Sequence, residues 1–285
     1  MSTVNTLVQG VLLGGLYALV AAGLSLVFGV MRIVNLAHGA LAVLAAYAAL
    51  QLGWHPFATL LVVVPAMAGL GYLLQRGVLD RALGGGELSP LLVTFGLAIV
   101  LQNLLLEGFS ADTQRLDAGG LGTSSLRLGD DLAIGWFPLL AFVVGVGVIA
   151  GLELFLSRTR TGRAMRATSD DQEAARLMGI DARHLYALAT AIALGTVAVA
   201  GVFLAVRTTF DPFAGSATLI FAFEAVVIGG LGSLWGTLLG GVVLGVAQSV
   251  GASIDPAYGV LAGHLVFLAV LAFRPRGLLP KVAAT

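Results

Sequence analysis

No cysteine occurs in this 285-residue chain, which excludes disulfides and thiolate chemistry while saying little about compartment. Charge is scarce as well. Charged residues make up 11% of the sequence, against about 25% in soluble globular proteins. Fifteen basic and fifteen acidic residues cancel, so no basic excess exists to hold nucleic acid. Residues 1–75 carry a single charge, Arg32. The opening MSTVNTLVQG lacks the basic n-region of a cleaved signal peptide, so the first helix is expected to be retained. Alternating strands of about ten residues, the mark of a membrane barrel, are also missing.

Apolar sequence is what remains. Hydrophobic residues reach 58% and the mean hydropathy is +0.99. Uncharged runs cover 88–106, 132–152, 184–206, 225–254 and 256–273, and crossing the hydrocarbon takes roughly 20 apolar residues. The expectation is an all-α, polytopic membrane protein with one transmembrane domain over 1–285. Spans are placed near 7–30, 36–52, 57–75, 89–109, 136–156 and 185–206. The segment 217–250 then forms two short helices or a re-entrant hairpin broken at Gly229-Gly230-Leu231-Gly232. This gives about eight spans: seven plus the hairpin, or nine. Lys and Arg favour cytoplasmic loops. With the N-terminus outside and the C-terminus in the cytoplasm, twelve of the fifteen basic residues fall inside, leaving Arg115, Arg127 and Arg207 outside. Segment 110–135, polar and Gly-rich, is expected as an extracytoplasmic loop.

Glycine is abundant, at 39 residues. Gly10/Gly14, Gly147/Gly151, Gly232/Gly236/Gly240, Gly241/Gly245 and Gly259/Gly263 are each spaced by four, and small residues at that spacing let helices approach closely in lipid. GVMRIVNLAHG (29–39) and GGLGSLWG (229–236) instead interrupt apolar runs and read as helix breaks, which can expose backbone to a substrate. Glu224 is the one ionisable residue at membrane depth, where charge is costly and functional by default. Asn35 and His38 border the first break, and Gln102 and Asn103 sit in an apolar span where paired amides commonly join helices. His55 and His264 stand alone, His184 flanks a loop, and no spacing suggests a metal site.

The charge is concentrated in one loop, 158–184. Arg158 to Arg183 hold ten of the thirty formal charges. Inside it a short helix over about 170–178 is expected, with Ser169 as N-cap, Gln172 completing a capping box, and Asp170, Asp171 and Glu173 in the first turn. Arg176 falls in the last turn, and Gly179 suits a left-handed C-terminal cap. Ala174, Leu177 and Met178 share a face. Such a helix could rest on lipid, its arginines near anionic headgroups, or fill a protein groove.

Glu173-Ala174-Ala175 followed by Gly179 resembles the EAA signature of ABC importer permeases. The wider pattern is more specific. LYALVAAGLSLVFGVMRIVNLAHG (16–39), VTFGLAIVLQN (93–103), TRTGRAMRATSDDQEAARLMGI (159–180), AVVIGGLGSLWGTLLGG (225–241) and the ending FRPRGLLP all resemble the LivH-type permease of branched-chain amino acid importers. The resemblance runs over essentially the whole chain. Many relatives carry an acid after His38-Gly39; here Ala40 stands in its place.

The resemblance implies a role and partners. The chain would be a permease subunit in a bacterial inner membrane, paired with a LivM-type subunit, two ATP-binding subunits and a periplasmic binding protein. Asp170, Glu173, Ala174, Ala175, Leu177, Met178 and Gly179 would couple it to the ATPase. Asn35, His38, Gly39, Gln102, Asn103, Glu224, Gly229 and Gly230 would border the translocation path. ATP and Mg would act on the partners: no GxxxxGK[ST] loop is present here, and no cofactor or catalytic residue is expected. Urea or short amides are the alternative cargo, and a distant branch of the pattern serves sugars. An ion-coupled secondary transporter would need several intramembrane charges.

Overall fold

The computed structural model describes residues 3–86, 88–122, 124–128 and 132–279. Where no water can hydrogen-bond the backbone, the chain must satisfy its own amides, and helices do so within one segment. The apolar runs accordingly form α1 (Thr3–Met31), α2 (His38–Leu52), α3 (Pro56–Leu74), α5 (Leu88–Phe109), α6 (Trp136–Arg158), α9 (Ala182–Arg207), α10 (Ala214–Gly229), α11 (Leu234–Ile254) and α12 (Tyr258–Phe273). Six of these nine are long and apolar enough to cross a membrane; α2, α10 and α12 are shorter. After α3 the chain continues through a π-turn at Gln75–Leu79 and the one-turn α4 (Asp80–Ala82). The charged loop contributes α7 (Arg160–Asp170) and α8 (Gln172–Leu177). The protein is an all-α, polytopic membrane protein. Segment 217–250, expected as two short helices or a re-entrant hairpin, is a helix–turn–helix made by α10 and α11.

Segment 110–135 holds more structure than a loop. Strand β1 (Ser125–Leu128) pairs antiparallel with β2 (Leu132–Gly135), and Gln9 Nε2 donates to the Ala133 carbonyl at 2.7 Å, tying the hairpin to the start of α1.

Two helices form the centre. In α1 and in α9, 78% of the most apolar window is buried, against 17% in α5. Glycine sets the spacing around α1. A β-carbon added at Gly10 would fall 2.6 Å from the Val246 Cα, and one at Gly14 would collide with the Val242 backbone. Gly241 and Gly245 meet the Gly14 and Gly10 carbonyls from the other side, so α1 and α11 touch backbone to backbone. A β-carbon added at Gly145 of α6 would likewise fall 2.6 Å from the Gly15 carbonyl oxygen. Gly147 and Gly151 share the four-residue spacing but face open space, so that pair is not a packing device within this chain.

The first break places α2 deep in the bundle. After Met31 the chain turns back along α1, and His38, the first residue of α2, donates from Nε2 to the Val20 carbonyl at 2.8 Å. Val20 lies eleven residues before the end of α1, about 16 Å back along its axis. Gly39 and Gly215 press together, so the first turns of α2 and α10 meet at that depth. With 15 and 16 residues, these helices span about 23 Å, short of the roughly 30 Å of hydrocarbon. They are half-helices that leave a shared level in opposite directions.

One end of the bundle gathers the basic residues. The ends of α1, α3 and α6, the starts of α9 and α11 and the segment after α12 all lie there, bringing Arg32, Arg76, Arg81, the six loop arginines, Arg274 and Arg276 together. Arg115 and Arg207 lie at the opposite end, where Arg115 Nε donates to the Val206 carbonyl. Lys281 lies outside the described residues.

Gly14→Val is expected to force α1 and α11 apart and to cost about 1–3 kcal/mol, the usual scale of overpacking. Gly147→Val, facing open space, is expected to leave stability unchanged. Thermal unfolding of the two purified variants in one detergent checks the contrast.

Candidate functional site

The charged loop leaves α6 through a tight corner. Thr159 caps α7, accepting from Gly162 N–H at 2.9 Å, and Gly162 lies against the last turn of α6, where a β-carbon would fall 2.5 Å from the Leu156 Cα. Met165 and Thr168 of α7 are buried. Ser169 is inside α7, not the cap of the next helix. Its hydroxyl donates to the Gly29 carbonyl at 2.7 Å, and Arg32 Nη2 donates to the Ser169 carbonyl at 3.3 Å. The expected capping box is replaced for a simple reason. Asp171 adopts an extended conformation, closes α7 through its N–H to Ala167, and accepts from Ala174 N–H at 2.9 Å as N-cap of α8. A short carboxylate caps at least as well as serine. Asp170 consequently ends α7 and does not begin α8.

The far end of α8 follows the expectation. Gly179 has φ +79°, its N–H donates to Arg176, and the Ile180 N–H donates to Ala175. This pair of bonds is the Schellman arrangement, which requires a left-handed residue at that position. The orientation of α8 is then fixed. Ala175 is 4% exposed and faces the protein, while Leu177 and Met178 are 89% and 82% exposed. Glu173 and Ala174 are exposed as well. Two large apolar side chains thus project from the end of a six-residue helix and its C-cap, outside the membrane-crossing helices. Asp181 then caps α9, accepting from Arg183 and His184 N–H.

The loop is also joined to both helix breaks. Gly29 accepts from Ser169 and lies against Gly232, where a β-carbon would fall 3.3 Å from the Gly232 carbonyl. The α10–α11 turn runs through Gly230 (φ +111°) and Gly232 (φ +77°), with Gly229 against Gly236. The segment after α12 completes this turn: Leu278 and Leu279 N–H donate to the Ile228 and Gly229 carbonyls at 2.8 and 2.9 Å.

The residues expected near a path do not come together in one place. Asn35, His38 and Gly39 are buried and hold the first break in shape: Asn35 Oδ1 accepts from Ala37 N–H at 3.0 Å, and Leu36 N–H donates to Thr94 Oγ1 at 3.1 Å. Asn103 is exposed and bonds its own helix, at the Ile99 carbonyl, while Gln102 is half-buried. Glu224 belongs to a cluster that the sequence did not reveal. Its Oε1 is hydrogen-bonded to His264 Nδ1, so His264 does not stand alone. The carboxylate side chain is 4% exposed and the imidazole 39%. Phe221 stacks on His264, with ring centroids 6.2 Å apart, and Tyr17 packs on Phe221. Tyr17 OH donates to Gln248 Oε1 at 2.5 Å. Glu224 Oε2 and Gln248 Nε2 are buried without a hydrogen-bond partner among the described residues. The cluster joins α1, α10, α11 and α12. Forty residues separate Glu224 from His264, so no local motif marks the pair. The available signal was the need of an intramembrane acid for a partner.

A family model described as the branched-chain amino acid transport system / permease component matches residues 6–271. BraD, a high-affinity branched-chain amino acid transport system permease protein of Pseudomonas aeruginosa, is 35% identical, with 96% of this chain and 95% of that protein covered. LivH of Escherichia coli, a permease protein of the corresponding system, is 28% identical over 96% of this chain and 94% of its own length. LivM of Escherichia coli, also described as a high-affinity branched-chain amino acid transport system permease protein, is 28% identical over 93% of this chain and 68% of its own length. A nearly full-length match in sequence, on a bundle of apolar helices with a charged loop at one end, means that this chain belongs to the permease-component family of the branched-chain amino acid transport system.

Proposed function

We propose that the chain is a permease subunit of a bacterial ABC importer for branched-chain amino acids, seated in the inner membrane as one transmembrane domain. The observation that carries the reading is α8. A helix capped by Gly179 presents Leu177 and Met178 to the aqueous side, beside Glu173 and Ala174, on a loop fastened to α1 through the Ser169–Gly29 bond. Exposed apolar side chains on a positioned helix suit a protein groove. In this reading the groove belongs to an ATP-binding subunit. The loop end is cytoplasmic, as its arginines favour, and the hairpin end faces a periplasmic binding protein. A LivM-type subunit pairs with this chain, two ATP-binding subunits carry ATP and Mg, and the present chain supplies no catalytic chemistry.

The path runs along the face that holds Glu224 and His264. A half-exposed imidazole bonded to a buried carboxylate is costly against hydrocarbon, so this face meets the partner permease or the cargo. Gly229 and Gly230 close its loop end. Asn35, His38 and Gly39 shape the neighbouring half-helix, and Gln102 and Asn103 lie on α5, whose outer face is open. A wall of mostly apolar side chains with one polar pair suits small zwitterionic cargo with an apolar side chain.

Gentle purification from native membranes, followed by mass spectrometry, is expected to recover a second permease and two ATP-binding subunits. Recovery of this chain alone would overturn the reading. Vesicles bearing the complex are expected to accumulate labelled leucine in preference to urea.

Leu177→Asp with Met178→Asp is expected to release the ATP-binding subunits and to lower leucine uptake roughly tenfold or more, with thermal stability retained because both side chains are exposed. Gly179→Val places a β-branched residue at positive φ. It is expected to uncouple ATP hydrolysis from uptake, measured as the ratio of the two rates.

His264→Leu leaves the Glu224 carboxylate buried without its partner and is expected to cost about 3 kcal/mol. Replacing both residues by Leu should restore stability but not uptake. Normal uptake in the double variant would make the pair purely structural.

A further inference from the structure

A second polar site lies at the loop end, away from the Glu224–His264 face. It is a cavity of about 250 Å³ between α1, α6, α7 and the start of α11, just below the roughly 300–1,000 Å³ of sites for drug-sized ligands. Its lining combines an acid and a base that no ion pair joins among the described residues, Glu153 of α6 and Arg166 of α7. Ser25 also lines it. That side chain is fully buried, and its hydroxyl has no hydrogen-bond partner among the described residues. A buried hydroxyl left unbonded costs about 1–3 kcal/mol, which a ligand at this position would offset.

The start of α11 forms another wall. Ser233 caps it, accepting from Gly236 N–H at 3.1 Å. The N–H groups of Leu234 and Trp235 precede that bond and have no acceptor within the helix, as in any first turn. Such N–H groups, with the helix dipole behind them, favour an anion. The apolar side chains of Val30, Leu156 and Trp235 fill the remainder.

We propose that this cavity binds a small zwitterion, its oxyanion against Arg166, the Ser25 hydroxyl and the first turn of α11, and its ammonium against Glu153. Two molecules present this chemistry at a membrane surface: a free amino acid, and the phosphoethanolamine head of a lipid. The choice of leucine as the free ligand rests on the permease reading above; the site itself does not. Arg166 lies on the helix that leads into α8, and Gly29, which accepts from Ser169, lines the same cavity. An occupant therefore ties the coupling loop to the two helix breaks.

Trp235 supplies the readout. The chain has three tryptophans, and Trp54→Phe with Trp136→Phe leaves Trp235 as the sole tryptophan, excited selectively at the red edge of the absorption. The full chain is placed in phosphatidylglycerol nanodiscs and titrated with leucine. A saturable change in Trp235 emission is expected, weakened about tenfold or more by Arg166→Gln and by Glu153→Gln. Isocaproate and isopentylamine, each carrying half of the zwitterion, are expected to bind far more weakly. If leucine is silent but phosphatidylethanolamine in the disc produces the change, sensitive to both substitutions, the site stands and its occupant is the headgroup. If neither molecule alters the emission, or if both variants respond like the parent, the proposal is wrong. No transport is measured, so the result does not depend on whether the chain imports leucine.

Discussion

In lipid, an apolar side chain gains little by leaving its surroundings for another helix, so a bundle coheres only where backbones approach closely. Here that condition is met along α1. Gly10 and Gly14 meet Gly241, Val242, Gly245 and Val246 across one seam, and Gly15 meets Gly145 across another. Two contacts described above follow from this seam. Tyr17 reaches Gln248 because α1 and α11 touch, and Gly29 meets Gly232 because the same pair remains in contact down to its breaks. A wider helix spacing would separate both contacts at once.

The two breaks and the charged loop behave as one unit. Gly29, Arg32 and Ser169 are linked by two hydrogen bonds, one donated in each direction between the loop and the end of α1. A contiguous set of contacts thus runs from α8 through α7 to α1, and through Gly232 to the α10–α11 turn. The half-helices α2 and α10 meet by their first turns at Gly39 and Gly215. A shift of α10 is thus felt by α2 at the depth where His38 is anchored to Val20.

Much of this was legible in the sequence, for physical reasons. Long uncharged runs have few alternatives to helices in a membrane, so the spans were located closely, and the left-handed Gly179 followed from its place after a short polar helix. The failures share a cause: each depended on the third dimension. Ser169 and Asp171 are both good N-caps, and only the proximity of the Gly29 carbonyl commits the serine to another bond. Gly147 and Gly151 keep the packing spacing but face open space, since periodicity shows which residues share a face and not what lies opposite. His264 read as isolated because its carboxylate is on another helix. The cavity beside Arg166 left no trace in the sequence, because its walls come from four helices.

The segment that follows α12 has a further significance. Leu278 and Leu279 donate to the Ile228 and Gly229 carbonyls, and Gly277 lies against the backbone of Gly230. The last turn of α10 is therefore finished by residues that leave the ribosome only after α11 and α12 have been made. During synthesis those two carbonyls face the α10–α11 turn without their final donors. These two bonds become available only once α12 has returned the chain to the loop end, whereas the bonds within the turn itself, Gly230 N–H to Val226 and Ser233 N–H to Gly230, need nothing beyond it.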